Sequence, residues 1–413
     1  MLTAFYVLIV LATIVFTVVA WTTLAWMLHA WRSADALERT RFRHSTATPA
    51  HRFSLIVPAR HEERVLPTTL ERLADINHPN YEVWLVVGHD DPNTMVVAQE
   101  AAARHPGLIH VIEDVNEVKN KPRALNTALP HCDGDFVGVF DAEDLVHRDL
   151  LLRVDQCLQE TGADVVQSGV QLMNFRSSWF SVRNVLEYYF WFKSRLHHHA
   201  EHGFIPLGGN TVFMRRNLIQ ANGGWDPDCL AEDCEIGTRL SSHGAKTVVA
   251  YDPELATLEE TPDSLGDLFR QRTRWVQGFL QVLGKGEWKR LRGMRRVLAL
   301  FTLGMPLMQA LAGVFIPLSI LSVFVLHAPL PLALFTFLPA IPTLAILAVE
   351  LAGLGSFCRD YGQRPRVLDY VRLIVGTLPY QLVLSAAAIR AVGRQARGNL
   401  SWEKTAHVGA HLS

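Results

Sequence analysis

The chain has 413 residues, room for two or three folding units, and its 39 Lys and Arg nearly balance 40 Asp and Glu. A net charge of −1 supplies neither a basic surface nor an acidic tail, which argues against a polyanion-binding role, so no nucleic-acid partner is expected. At 49% hydrophobic and 19% charged, the composition is too apolar for an ordinary soluble enzyme and too charged for an all-membrane protein, so the two populations must be segregated along the chain.

From Leu2 to Trp31 there is no Asp, Glu, Lys or Arg, and at about 1.5 Å per residue this run exceeds the roughly 30 Å hydrocarbon core of a bilayer. Nothing basic precedes it, so residues 1–31 read as a retained transmembrane helix rather than a cleaved signal. Trp21, Trp26 and Trp31 suit the interfacial belt. Arg32, Arg39, Arg41, Arg43 and Arg52 outnumber Asp35 and Glu38, which by the positive-inside rule puts the following domain in the cytoplasm, under the plasma membrane.

Residues 52–284 change to an α/β pattern, with β-branched runs between helix-like segments. Phe53–Val57 reads as a strand stopped by Pro58, Glu62–Asp75 as a helix, Tyr81–Val87 as a strand and Asn93–Arg104 as a helix. Leu108–Ile112 is a third strand, Lys121–Leu129 a helix, and Asp135–Phe140 a fourth strand that ends in Asp141-Ala-Glu-Asp144. Four βα units in succession predict a parallel, Rossmann-like sheet with ligands at the carboxyl ends of its strands. The histidines at 197–199 and 202 occupy helical positions that point apart, so they read as a solvated helix end rather than a metal site. Tyr188–Phe192 reads as core or membrane-surface packing that could border an acceptor path.

Residues 285–296 form a basic interfacial segment. Val297–Val349 is uncharged and long enough for two spans hinged at residues 327–331, giving two transmembrane helices over 297–357. In 358–413, the uncharged run Leu373–Ile389 contains Gly376 and Pro379 and is flanked by arginines; a re-entrant hairpin broken at Pro379 is favoured over a third C-terminal span. The five cysteines are far apart, without metal-ligand spacing, and read as reduced cytosolic thiols.

No GxGxxG follows the first strand and no GxxxxGK[ST] occurs, so the usual phosphate cradles of dinucleotide redox enzymes and P-loop hydrolases are absent. Asp141, Glu143 and Asp144 can instead hold a hard divalent cation that neutralises a departing diphosphate. About ninety residues on, Ala231-Glu-Asp-Cys-Glu235 opens a helix, and about forty further lies Gln271-Arg-Thr-Arg-Trp275.

These three elements, in this order and followed by basic and then transmembrane segments, resemble the membrane-embedded family 2 glycosyltransferases, in particular the processive branch of cellulose and hyaluronan synthases with its DxD, ED and QxxRW motifs. Phe53–Glu63, Asn120–Asn126, Pro206–Asn210 and Trp402-Glu-Lys-Thr405 extend the resemblance over most of the chain. It implies a GT-A, Rossmann-like nucleotide-sugar-binding domain inserted between transmembrane helices. It also implies Mg²⁺ or Mn²⁺ on Asp141 and Glu143, with Glu143 standing where most members have Asp. Pro58, Arg60, Glu62, Lys121, Asp141 and Arg274 are expected on the nucleotide donor, together with Asp90 or Asp91 for the base. Gly208, Gly209, Glu232, Gln271 and Trp275 are expected on the acceptor side, and Asp233 as general base.

The implied activity is inverting transfer from a UDP-sugar, UDP-glucose foremost, to a growing β-linked polysaccharide. The small membrane part makes transfer to a lipid acceptor the alternative, because a polymer channel would require the 373–389 stretch, a homo-oligomer or an export partner. An inactive carbohydrate-binding scaffold is a further alternative, opposed by intact Asp141, Asp233 and Arg274.

Overall fold

The computed structural model describes residues 2–43, 46–403 and 409; Lys404 and Thr405 of the C-terminal motif lie outside the described residues. Among the described residues the α/β domain has nine strands. These are β1 (Phe53–Ala59), β2 (Tyr81–Gly88), β3 (Ile109–Asp114), β4 (Phe136–Val139), β5 (Val165–Ser168), β6 (Val170–Leu172), β7 (Val212–Arg215), β8 (Thr247–Ala250) and β9 (Thr257–Glu259).

Seven of them form one sheet in the order β3-β2-β1-β4-β7-β5-β8, and β6 pairs with β9. The sheet is mixed rather than wholly parallel, because β7 runs antiparallel to both β4 and β5. Four residues carry too little periodicity to announce that reversal in the sequence. β1 runs through Pro58 to Ala59: its ladder to β4 stops at Ile56, so the missing N–H interrupts no pairing on that side. The central strands are buried on both faces, with Phe53, Phe136 and Phe213 fully enclosed. Each such side chain contributes roughly 1.5–3 kcal/mol of burial, which is why near-continuous apolar runs form the central strands.

Among the described residues, four helices are long and apolar enough to cross a membrane: Thr3–Trp31, Met294–Phe324, Leu330–Asp360 and Val367–Ala396. The first three each turn one end toward the α/β domain. Ala30 N donates to Ser194 Oγ at 2.9 Å, Leu298 packs in one cluster with Phe204 and Ala231, and Lys193 Nζ donates to Asp360 at 2.6 Å.

The fourth differs. Val367–Ala396 is one continuous helix with Pro379 inside it, not a hairpin broken there. Both of its ends bond to the α/β domain: Arg176 pairs with Asp369 at 2.8 Å, and Arg394 Nε donates to Gln277 at 2.9 Å. Beside the proline, buried Tyr380 donates to Glu187 at 2.8 Å, so tertiary contacts on both sides hold a helix that the proline alone would end. Val371, Ile374, Val375, Leu378 and Leu382 are exposed along its length, whereas Leu373, Tyr380 and Ala387 are buried. Helical spacing places these two sets on opposite faces.

Candidate active site

Asp141 follows β4, and its N–H donates to Asp144 Oδ2 at 2.8 Å, which closes the turn at the strand end. Lys121 opens the helix Lys121–Ala128, whose N-cap is Asn120: its side chain accepts from Arg123 N at 3.0 Å. From there the Lys121 ammonium reaches Asp141 and donates to the Gly209 carbonyl at 2.8 Å. A Cβ on Gly209 would stand 3.3 Å from Asp233 Oδ2 and 3.7 Å from Lys121 Nζ, so the missing side chain keeps the floor of the site open. Asp233 lies in the first turn of Glu232–Ser242 and accepts from Cys234 N at 2.7 Å, where the helix dipole favours its charge.

A third element brings the Gln271–Trp275 motif alongside. On the helix Leu265–Lys285, a Cβ at Gly278 would fall 2.5 Å from the backbone nitrogen of Ala231. Only glycine allows that approach, and it seats Arg274, one turn earlier, against the start of the Asp233 helix. Arg274 Nε and Gln271 Oε1 are buried without hydrogen-bond partners, and the Arg274 guanidinium lies 4.4 Å over the Trp402 ring. Two polar atoms left unmet on a cavity wall are ready for a ligand.

Electrostatics follow from crowding. Burial opposes the Lys121 charge, but Asp141, Glu232 and Asp144 outweigh it and hold the ammonium well above the ordinary lysine value. Burial and then Asp233 push Glu232 up to about 7, against the pull of Lys121 and Arg274. Burial likewise raises Asp233. Glu259 is pushed up to about 7 by burial and by Asp141 and Glu143. Asp144, fully buried, is raised well above the usual carboxylate range by burial and then Glu259.

These groups line a cavity of about 1020 Å³ that contains Pro58, Arg60, Glu62, Lys121, Asp141 and Glu143, together with Gly208, Gly209, Glu232, Asp233, Gln271, Arg274 and Trp275. Asp90 and Asp91 are not on its wall. Asp90 pairs with Arg60 at 2.9 Å on the surface, and buried Asp91 caps the helix Pro92–Arg104 by accepting from Thr94 N while also holding His61 N. The corresponding wall is formed by Gly88 and Asp114. The cavity continues between the membrane-length helices, past Thr23, Met27, Met305, Gln309, Ile346 and Leu384. Tyr188, Trp191 and Phe192 border it, whereas Tyr189 is core.

Two features escape sequence reasoning. Asn210 Nδ2 donates to both oxygens of Asp144 at 2.9 and 3.0 Å and also to Glu259, tying the β4 turn to β9. Glu259 belongs to a three-residue strand in which nothing local marks it. In addition, His197 and His199 are buried rather than solvated. His29, from the end of the first helix, joins His197 and Glu201 so that one ligand atom of each lies within 4.8 Å of the others. Arg32 already sits on this group, 2.9 Å from Glu201. Convergence came from a distant segment, not from the consecutive histidines.

Asp141 and Glu143 present hard oxygen donors to the cavity, with Lys121 the cation that reaches Asp141. That donor set fits a divalent cation.

Residues 49–278, more than half of the chain, match the sequence family described as Glycosyltransferase like family 2. The chain belongs to glycosyltransferase family 2. Within the family it is similar to the beta-monoglucosyldiacylglycerol synthase of Trichormus variabilis, with 27% identity over 86% of this chain and 76% of that one. The Synechocystis synthase of the same name is 26% identical over 89% and 77%. The poly-beta-1,6-N-acetyl-D-glucosamine synthase of Staphylococcus epidermidis is 21% identical over 67% and 65%. Among solved structures, the mannosyltransferase PcManGT from Pyrobaculum calidifontis, in complex with GDP-Man and Mn²⁺, superposes with a TM-score of 0.56. That match has 20% identity over 94% of this chain and 99% of that one, and it shows the shared GT-A-type fold.

Proposed function

We propose that this family 2 glycosyltransferase moves a hexose, glucose from UDP-glucose first among donors, to the hydroxyl of a diacylglycerol-like lipid, with inversion at the anomeric carbon. The observation that carries this reading is the cavity: one continuous space joins Lys121 and Asp233 to side chains of the membrane-length helices, so an acyl lipid could present its head to the base without leaving the bilayer. The names of the two glucosyldiacylglycerol synthases support it, in preference to the polysaccharide product expected from the motifs. Polymer synthesis is the second reading, favoured by the more distant polysaccharide-synthase relative.

In this mechanism Asp233 removes the acceptor proton, a task suited to a carboxylate whose basicity burial has raised. Arg274 and Lys121 hold the diphosphate, and Gln271, Trp275, Glu232 and the Gly208–Gly209 backbone line the acceptor side. Pro58, Arg60 and Glu62, with Gly88 and Asp114, border the nucleotide. Mg²⁺ or Mn²⁺ held by Asp141 and Glu143 would supply charge neutralisation for the leaving diphosphate. Three helices cross the plasma membrane with the catalytic domain in the cytoplasm, and Val367–Ala396 lies along the interface, its exposed apolar face toward lipid.

The test is incubation of the purified protein and its Asp233→Asn variant with radiolabelled UDP-glucose, Mg²⁺ or Mn²⁺ and mixed vesicles containing diacylglycerol. Label in the organic phase from the wild type alone supports the proposal. Long, water-soluble polymer would move the assignment to the second reading, and equal lipid labelling by both proteins would remove Asp233 as base.

A further inference from the structure

Arg195 ends a π-helical turn, Trp191–Arg195, that interrupts the helical stretch between Ser181 and Glu201. Such turns re-aim side chains and recur at functional sites. Here the guanidinium lies between two indoles, 4.5 Å from the Trp26 ring centre and 4.8 Å from that of Trp191, and it lines the same cavity as Lys121 and Asp233. Other cations at this junction have acids: Arg183 pairs with Glu350 at 2.9 Å, Lys193 with Asp360 at 2.6 Å, and Arg272 with Glu187. Among the described residues no carboxylate pairs with Arg195, and its Nε is sealed from solvent without an acceptor. Burial alone lowers its pKa to about 10, so it keeps its charge at neutral pH.

Arg195 is half-buried with its Nε sealed off, and a guanidinium so placed is costly unless an anion answers it, a cost that two aromatic faces offset only in part. The location indicates which anion. Trp26 belongs to the last turn of the first membrane-length helix, the end that meets the α/β domain, and that level corresponds to lipid head groups. Val19, Met305 and Ile346 give the same cavity an apolar wall.

We propose that Arg195 binds the phosphate of an anionic membrane lipid that enters the cavity from the bilayer. Its planar fork of N–H donors matches two phosphate oxygens at once. The inference deepens the lipid reading given above and rests on it. The lipid could be the acceptor itself or a phospholipid seated beside a neutral acceptor; the phosphate contact is the same.

The experiment is native mass spectrometry of the detergent-purified full chain titrated with phosphatidic acid, phosphatidylglycerol and diacylglycerol of identical chains, for the wild type, Arg195→Gln, Arg195→Lys and Asp233→Asn. The wild type and Asp233→Asn should retain the two phosphate lipids in preference to diacylglycerol. Arg195→Gln should lose about tenfold or more of that preference, and Arg195→Lys should recover part of it. Unchanged preference in Arg195→Gln would overturn the proposal, as would equal retention of all three lipids by the wild type. Melting temperatures of the two Arg195 variants separate a lost contact from a lost fold. Transfer assays with labelled UDP-glucose distinguish the sources: label on the phospholipid makes it the acceptor, and label only on diacylglycerol, stimulated by phosphatidylglycerol, makes it the neighbour. Binding is read without turnover, so absence of any labelled lipid would count against the function and leave the Arg195 result standing.

Discussion

Lys121 and Asp141 are hydrogen-bonded across the floor of the cavity, the lysine from the helix after β3 and the aspartate from the end of β4. The same ammonium lowers the pKa of both Glu232 and Asp233, so it couples the proposed metal side to the proposed base. Lys121→Met should let both carboxylates rise further. A base with a raised pKa loses its ionised form sooner on acidification, so the acidic limb of the kcat/KM profile should move to higher pH, whatever the drop in maximal rate. An unmoved limb in a pH series at saturating metal would dismiss this coupling.

Gly209→Ala places a methyl 3.3 Å from Asp233 Oδ2 and 3.7 Å from Lys121 Nζ. Displacing the base by a few tenths of an ångström should lower kcat about tenfold or more, while the melting temperature hardly changes. Steady-state kinetics alongside thermal unfolding checks this, and a loss of stability without a loss of kcat would contradict it.

Arg274 keeps an unmet Nε and stacks on Trp402. Arg274→Lys removes the fork and the stacking plane but keeps a charge, and KM for the nucleotide sugar should rise about 10–100-fold. Trp402→Ala should act in the same direction and less strongly. Binding of UDP followed by calorimetry reads both, and equal affinity in all three proteins would rule out diphosphate contact by Arg274.

Asp155 stands apart from the site and serves stability. Its fully buried carboxylate accepts from Ala50 N at 2.8 Å, His51 Nδ1 at 2.6 Å and His78 Nε2 at 3.2 Å, contacts that outweigh burial and hold it well below the usual carboxylate range. Asp155→Asn should cost about 3–5 kcal/mol. With a depressed folded pKa, the wild type's advantage is complete above the unfolded value near 4 and is lost as pH falls below it. Melting temperatures of the two proteins should therefore converge on acidification; a constant gap would refute the assignment.

An interfacial Val367–Ala396 helix keeps residue 397 on the cytoplasmic side. Arg397→Cys, in a Cys157→Ser background, should react with an impermeant maleimide in inside-out vesicles and not in right-side-out ones. The opposite pattern would make this helix a fourth crossing.

The three acidic and aromatic motifs were legible because their chemistry is local: Asp141 ends an apolar strand, Asp233 opens a helix, and Gln271–Trp275 sits within one. Asp91 was legible too, in retrospect, since an aspartate directly before Pro92 is the signature of an N-cap with proline in the first turn. The expected break at Pro379 failed for a different reason: Asp369, Tyr380 and Arg394 bind the helix to segments far away in the sequence.

By itself, then, the sequence determined which segments are apolar enough for the bilayer, which form the α/β domain, and which side chains are candidates for glycosyl-transfer chemistry, because each depends on composition and spacing along one stretch of chain. Tertiary structure alone decided the antiparallel β7, the Asn210–Asp144–Glu259 tie, the approach of Gly278 to Ala231, and the cavity that runs from Asp233 past Arg195 to the membrane helices. Those depend on close packing between residues tens to hundreds of positions apart, where a missing Cβ or an unpaired guanidinium acquires meaning only from what stands opposite it.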